Sequence, residues 1–194
     1  MFQKKLRQSA LLLFLMPFAF GLAANAQSNE LAITAGGFFP VNSPVRASDA
    51  FAVGGSFAHR IASLPLVSAY LEIPVFATFN STADAFSTAD GHPRYSTLFV
   101  TPGLKIKLAP EFPISPYLVA GGGVVHFSKS NVTTNDSTYS GTFDVGGGLD
   151  WKIFPFISAR GEVRDFYSGS PNVVSGFDAR EHQLIASVGL VLRF

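Results

Sequence analysis

The tripeptide His126-Phe127-Ser128 has the residue types best suited to catalysis in this sequence. A histidine can take the proton of a nearby serine hydroxyl and activate that serine as a nucleophile. Side chains two apart in a β-strand project from the same face, so the two would point the same way. The imidazole also needs an acid to orient it, and the chain has no glutamate near position 126, while Asp144 is a poor substitute. His126 and Ser128 are therefore weak catalytic candidates, and we expect no catalytic site.

The other residues that could carry chemistry do not form a site pattern. The four histidines are scattered, and the loop acids do not follow the spacing of a calcium loop, so we expect no metal site and no cofactor. The absence of cysteine excludes zinc and iron–sulfur sites with thiolate ligands. A formal net charge of +1 argues against a nucleic-acid partner, which would need a basic face.

The first 26 residues have the layout of a secretory signal peptide. A basic start precedes an apolar run over 10–24, and Ala24-Asn25-Ala26 has small residues where a signal peptidase reads. As a helix the run would reach about 22 Å, short of a hydrocarbon core of about 30 Å. We expect cleavage after Ala26. This divides the chain into a signal peptide, 1–26, and an exported barrel domain, 27–194, with a formal net charge of −2.

Alternation with period two predicts β-strands throughout the exported domain. In the last segment, Leu184, Ala186, Val188, Leu190 and Leu192 form one apolar face, and the opposite face is mixed. A helix does not produce such faces, because its neighbours repeat at three and four residues. The pattern predicts eight strands, at 30–39, 49–59, 65–79, 94–108, 115–127, 140–152, 156–167 and 180–194.

The predicted connections alternate between long and short. Short connections at 60–64, 109–114 and 153–155 have prolines in or beside them. Long loops at one end and tight turns at the other are typical of outer-membrane barrels. Pro74 and Pro102 fall inside predicted strands, where they indicate bulges or breaks in the hydrogen-bond ladder. The long, polar loops are those at 40–48, 80–93, 128–139 and 168–179.

Alternation does not say which face points outward, and a soluble ligand-binding barrel such as a lipocalin alternates in the same way. Three features favour a barrel in a membrane. The apolar phase continues to Phe194, the polar phase holds charges of both signs, and aromatic residues gather near strand ends, where interfacial girdles lie. We therefore predict an all-β fold, an eight-stranded antiparallel up-and-down transmembrane β-barrel in the cell outer membrane. The soluble periplasmic barrel is the alternative. The girdle residues would be Phe38, Phe39, Phe51, Phe57, Phe79, Tyr95, Phe127, Phe143, Trp151, Phe154, Phe156, Phe166 and Tyr167.

Several motifs resemble the outer membrane protein beta-barrel domain family, a relative of the small OmpA and OmpX type barrels. They are the terminal segment 188–194, glycine-rich strand centres such as 121–123 and 146–148, and the stretch 101–105. The resemblance implies that Phe194, with Leu192 and Leu190, is a signal read by the barrel assembly machinery. It also implies contact with outer-membrane lipid and lipopolysaccharide.

The lumen of an eight-stranded barrel is only wide enough for its own side chains, which excludes a porin. The predicted inward phase brings six charged residues together with Tyr70, Phe76 and Phe99. Opposite charges can pair into a polar plug, whereas isolated charges would be costly to bury. A gated path for protons or small ions is the alternative, and it needs a continuous polar route. The predicted lumen charges are Glu72, Lys105, Asp144, Arg160, Glu162 and Arg164.

The favoured function is therefore non-enzymatic: structural integrity of the outer membrane and contact with surface partners through the four long loops. The longest loop, 80–93, is the expected contact surface, through Asp84, Phe86, Asp90, His92 and Pro93.

The alternative function is a hydrolase that modifies lipid A. Outer-membrane lipid A deacylases resemble this chain in having a His and a Ser two residues apart, which implies base and nucleophile roles for His126 and Ser128. Those enzymes carry an Asn after the Ser, where this chain has Lys129. Their motif also lies near the penultimate strand, and the predicted one here, 156–167, contains no histidine.

Overall fold

The computed structural model describes residues 27–41, 49–82, 94–130, 135–169 and 180–194. The predicted signal peptide and most of the long-loop residues lie outside these ranges, and cleavage after Ala26 stays a prediction. Within the described ranges, no helix is long and apolar enough to cross a membrane. The strands are β1 (Asn29–Val41), β2 (Ala50–Ser63), β3 (Val67–Thr82), β4 (Arg94–Val100), β5 (Gly103–Leu108), β6 (Ile114–Ser130), β7 (Asn135–Phe154), β8 (Ile157–Gly169) and β9 (Arg180–Arg193).

The strands close into one antiparallel barrel. Strands pair with their neighbours in chain order, except that β4 and β5 each pair with β3 and β6 and not with one another, and β9 returns to pair with β1. β4 and β5 occupy one strand position in succession, so the barrel has eight strand positions, each of which we call a wall. Asn29 and Phe194 seal the closure by exchanging backbone hydrogen bonds of 2.8 and 3.0 Å. The predicted eight-stranded barrel is confirmed.

The two prolines predicted to disturb the ladder lie side by side in the wall. β4 ends at Val100 and β5 begins at Gly103, so the interruption contains Pro102, and Pro74 of β3 lies opposite it. Val75 pairs with Val100 and Glu72 pairs with Gly103, three residues further along each strand, so no residue is inserted. The site is a ladder break rather than a bulge, as expected from two residues that lack an N–H.

The predicted phase is correct, with the apolar residues outside. Ile33, Leu118, Val188 and Leu190 are 58–71% exposed on the outer wall. Such a belt is stable in hydrocarbon, whereas in water its exposure would be unfavourable. The soluble alternative required this face to be buried around a ligand. The structure places it outside.

Three of the predicted girdle residues were wrong. Phe38, Phe127 and Phe166 are buried in the barrel interior, because each lies in the inward phase of its strand. Phe39, Phe143 and others of the set do point outward. Position along a strand is therefore insufficient to place an aromatic residue, and the parity of its position decides.

The strands extend further than predicted at the long-loop end. β6 runs to Ser130 and β7 begins at Asn135, so the predicted loop 128–139 is mostly strand. At the opposite end the connections are short, at 64–66, 109–113 and 155–156. The longer strands reflect the uninterrupted pairing of β6 with β7, which continues to Ser130 and Asn135.

Candidate functional site: a charged lumen below an aromatic cluster

The interior of the barrel has two layers. Charged side chains fill the part from the short-turn end to the middle, and an apolar cluster lies towards the long-loop end. Both layers arise from inward-phase residues of the same strands. On β1, β3 and β8 the inward face changes from charged to aromatic, as from Glu30 to Phe38 and from Arg164 to Phe166, and this change builds the division.

Glu30 on β1 is the acceptor nearest the short-turn end. Its Oε2 lies 2.8 Å from Nζ of Lys105 and 3.3 Å from Nη2 of Arg160, and its Oε1 accepts a hydrogen bond from Lys107. All four side chains are at most 3% exposed. A buried charge is tolerated only when opposite charges and hydrogen bonds surround it, and this carboxylate has a fourth cationic neighbour in Arg193, at 3.4 Å.

Asp150 on β7 is the second acceptor of this lower layer. Arg160 binds it in a bidentate manner, with Nε to Oδ1 at 2.8 Å and Nη2 to Oδ2 at 3.0 Å. Lys107 lies 2.6 Å from Oδ2, and Arg193 lies at 3.5 Å. Asp150 and Arg160 are direct cross-strand partners, so the sheet register itself sets up the bidentate geometry.

Arg164 on β8 organises the middle of the lumen. Its guanidinium contacts Glu72 at 2.7 Å, Asp144 at 3.0 Å and Glu162 at 3.0 Å. Glu72 also accepts a hydrogen bond of 2.9 Å from the Ser56 hydroxyl. The planar fork of arginine can serve several carboxylates at once, which a lysine in this position could not do with the same geometry.

Tyr117 joins the lower and middle parts of the network. Its hydroxyl donates a 2.8 Å hydrogen bond to Glu162, and its ring lies between Nζ of Lys105, 4.5 Å from the centroid, and the guanidinium of Arg160, at 4.8 Å. The ring therefore interacts favourably with two cations while the hydroxyl is satisfied by an anion. Gly148 makes this placement possible, because a Cβ there would lie 2.6 Å from the Tyr117 hydroxyl oxygen.

The formal charges of the network balance. Five cations meet five anions, and every one of these residues is at most 7% exposed. Such balance allows a charged interior, because no uncompensated charge remains in a poorly solvated space. The cations are Lys105, Lys107, Arg160, Arg164 and Arg193, and the anions are Glu30, Glu72, Asp144, Asp150 and Glu162.

The structure brings together all six lumen charges identified in the sequence. Sequence reasoning missed the other four network members, Glu30, Lys107, Asp150 and Arg193. Lys107 shares the inward parity of Lys105, and Asp150 that of Asp144, while Glu30 and Arg193 lie on the inward phase of β1 and β9, where no lumen charge was identified. If the inward alternation had been followed to the end of every strand, it would have identified these four residues as lumen charges.

The aromatic cluster packs directly on the charged layer. Phe166 contacts Phe99 and Phe76, with ring centroids 4.5 and 5.6 Å apart. The guanidinium of Arg164 lies 5.4 Å from the centroid of Phe76 and so marks the boundary between the layers. The cluster comprises Phe38, Ala52, Phe76, Phe99, Val125, Phe127, Phe166 and Ile185.

His126 and Ser128 lie outside the lumen, on the outward face of β6. The His126 ring lies against the Tyr139 ring, with centroids 4.4 Å apart and planes tilted by 35°, and its Nδ1 has no hydrogen-bond partner among the described residues. The cross-strand partners of His126 are Leu98 and Tyr139, neither of them an acid. The described residues thus supply no carboxylate to orient this imidazole, which a Ser–His pair requires.

The proposed C-terminal assembly residues occupy the outward face of β9. Leu190 and Leu192 are 58% and 43% exposed there, and Phe194 follows at the end of the strand. Residues 182–192 of this strand pair on both sides, with β8 and with β1. In the folded barrel, only the outward side chains of this segment remain free for contact with lipid.

Solved structures that match this architecture include outer-membrane barrels. Neisserial surface protein A superposes with a TM-score of 0.68 at 15% sequence identity, over 87% of this chain and 98% of that chain. The chain has the fold of the small eight-stranded outer-membrane barrels. From Pseudomonas aeruginosa, the N-terminal barrel domain of OprF matches at TM-score 0.50 and 16% identity, covering 86% and 98% of the two chains. OprG of the same organism matches at 0.50 and 13%, covering 87% and 97%. No protein-family model and no curated protein sequence matches the chain.

Proposed function

We propose that the chain is a non-enzymatic barrel of the outer membrane, with a lumen that acts as a structural plug. The observation that carries this proposal is the balanced set of ten buried charges that fills the barrel from the short-turn end to its middle. An ion that crossed this region would have to displace charges that already have partners at 2.7–3.0 Å. The aromatic cluster above it adds an apolar barrier.

The outer apolar belt and the likeness in fold to outer-membrane barrels support the proposed location. In that membrane the belt would contact lipid and lipopolysaccharide, and the long loops would face the outside, because short turns face the periplasm in such barrels. Surface partners would then bind through 40–48, 80–93, 128–139 and 168–179, and Phe194 with Leu192 and Leu190 would be read by the assembly machinery.

Location and channel activity are tested together. Outer membranes from expressing cells are run on a gel unboiled and boiled, and the purified barrel is reconstituted into a planar bilayer. We expect a band that migrates faster unboiled, and no conductance steps from the reconstituted protein. A soluble periplasmic product would overturn the location, and regular conductance steps would overturn the plug.

The enzymatic alternative is tested by mass spectrometry of lipid A from cells with and without the protein. We expect identical acyl patterns, because His126 has no described carboxylate to orient it. The loss of one acyl chain in the wild type, restored by Ser128→Ala, would establish the hydrolase instead.

A further inference from the structure

A cavity of about 660 Å³ opens at the short-turn end of the barrel. It lies between the turns that follow β5 and β7, with the ends of β2 and β9 on its other side. We call this cavity the vestibule. Its inner wall is the short-turn end of the charge network, since Lys107 and Arg193 belong to both.

The charge of the vestibule is predominantly positive. Four cations line it, Arg60, Lys107, Lys152 and Arg193, against one carboxylate, that of Glu111. The charge of Lys107 is neutralised by the network carboxylates of Glu30 and Asp150. Positive potential in a concave site is focused by its low-dielectric walls, and it therefore attracts anions more strongly than the same charges on a flat surface would.

Two of these cations are outside the balanced network. Lys152 donates a 3.2 Å hydrogen bond to the main-chain oxygen of Glu111, and Arg60 hydrogen-bonds the Tyr70 side chain. Neither forms an ion pair with a described carboxylate. Both belong to the inward phase of their strands, so their positive charge is directed to the opening rather than to the lipid.

Arg193 adds a buried cation whose ion pairs are long and whose Nε makes no hydrogen bond within the described residues. The residue is 7% exposed. Its Nε lies 3.4 Å from Oε1 of Glu30, and its Nη2 lies 3.5 Å from Oδ2 of Asp150. Both distances are longer than those between Arg160 and Asp150. A buried N–H without an acceptor is costly, and an anion in the vestibule would supply one.

We propose that the vestibule binds a phosphate group, carried by a soluble phosphate ester or by a lipid headgroup. Two guanidinium groups and two ammonium groups around one cavity match the tetrahedral oxygens of phosphate, which arginine and lysine both bind. The site is separate from the plug function and depends only on the folded barrel. Its occupant is the anion that Arg60 and Lys152 do not find within the described protein. Arg193, whose ion pairs with Glu30 and Asp150 are long, adds a third cation.

The test uses the whole barrel, isotopically labelled, in a non-ionic maltoside detergent that contributes no phosphate. Glycerol 3-phosphate is titrated and backbone amide shifts are followed by NMR. We expect saturable shifts at the turns 109–113 and 155–156. Arg60→Gln and Lys152→Gln should each weaken binding about three- to fivefold, as expected for the loss of one partly exposed charge. Glu111→Gln should strengthen binding about twofold by removing the one opposing charge.

The matched control is Lys129→Gln, which removes a lysine near the opposite end of the barrel, on β6. Binding by this variant should equal that of the wild type. A second titration with short-chain phosphatidylglycerol in the same micelles identifies the source. If Arg60→Gln weakens both ligands, the site takes free phosphate esters, and if it weakens only the lipid, the site takes a headgroup.

The proposal is overturned if neither ligand gives saturable shifts at tens of millimolar. It is also overturned if binding is the same in Arg60→Gln, Lys152→Gln and Lys129→Gln, because the anion would then bind elsewhere. Each variant is checked for the gel shift between unboiled and boiled samples, so a failure to fold is recognised separately. Loss of the proposed outer-membrane role would leave this result unchanged.

Discussion

Arg164 on β8 and Glu72 on β3 are 92 residues apart in sequence and form a 2.7 Å ion pair across the lumen. In the eight-walled barrel these strands lie on opposite walls. The pair therefore spans the interior and ties together two walls that share no backbone hydrogen bonds. Its neighbours Asp144 and Glu162 hold Arg164 in place, so the tie is part of a rigid group rather than an isolated bridge.

Glu72→Gln should destabilise the barrel by about 3 kcal/mol, because removal of one charge from a buried pair leaves its partners uncompensated. Arg164 would retain two carboxylates, but Lys105 and Arg160, at 3.8 and 3.7 Å from Glu72, would lose an opposing charge. The measurement is urea unfolding in lipid vesicles, followed by tryptophan fluorescence. Asp49→Asn, at an exposed position, is the control and should change stability by less than about 0.5 kcal/mol. Equal effects of the two substitutions would show that the pair contributes little.

The strands and their orientation could be predicted from sequence because a barrel imposes one rule along its whole length. Each strand has one face in lipid and one in the lumen, so apolar residues recur at every second position. The alternation of Val188, Leu190 and Leu192 puts them on one face, and the charges of both signs on the opposite phase indicate that this face points outward. The same rule gave the inward positions of Lys105 and Arg164.

The sequence predicted only part of the aromatic cluster: Phe76 and Phe99 were expected in the lumen, but the other three phenylalanines were assigned to the girdle because two rules conflicted. Phe38 and Phe166 lie near strand ends, which suggested a girdle, yet their parity is that of inward residues such as Glu30 and Arg164. An aromatic residue is stable both at the interface and in a packed core, so residue type does not decide between them. Only its position in the alternation does.

The ion-pair partners could not be predicted, because they depend on the stagger between strands. Asp150 and Arg160 are adjacent in the sheet, but which carboxylate meets Arg164 across the lumen is fixed by the tilt and closure of the barrel. Alternation predicts the face on which each residue lies. It does not predict the position of that residue along the barrel axis relative to residues on distant strands.

Gly148→Ala should destabilise the barrel by about 1–3 kcal/mol, the typical cost of inserting a methyl group into a packed interior. A Cβ there would lie 2.3 Å from the main-chain oxygen of Gly161 and 2.6 Å from the hydroxyl oxygen of Tyr117. The Tyr117 hydroxyl would have to leave Glu162. The measurement is again urea unfolding in vesicles.

Gly161→Ala is the matched control for this change. Gly161 lies in the paired neighbouring strand, opposite Leu149, and a Cβ there would meet no atom within 4 Å. Its substitution should leave stability unchanged or slightly higher, because alanine restricts the unfolded chain more than glycine does. If both variants lost the same stability, close packing around Tyr117 would not be the reason that position 148 is glycine.

Phe166→Ala should cost about 3–5 kcal/mol, because it removes a fully buried ring from the cluster and leaves a cavity beside Phe99. Phe143→Ala, on the outward face and 52% exposed, should cost clearly less, since lipid can fill the space. Thermal loss of the fast-migrating gel form compares the two. A larger loss in Phe143→Ala would indicate that Phe166 belongs to the girdle after all.

Val188→Arg tests whether the outer apolar belt is in contact with lipid. Val188 is 70% exposed near the centre of β9, so an arginine there would be placed in the hydrocarbon and should cost about 2–4 kcal/mol. Phe112→Arg is the control, because Phe112 is 56% exposed in a short turn, where the cost should be only about 0–1 kcal/mol. Both are measured by guanidinium unfolding in vesicles. The difference depends on depth in the bilayer and not on the lost apolar side chain, since the phenylalanine removed is the larger of the two. Equal, small costs would place the belt in water or against protein, and the transmembrane assignment of this face would then fail.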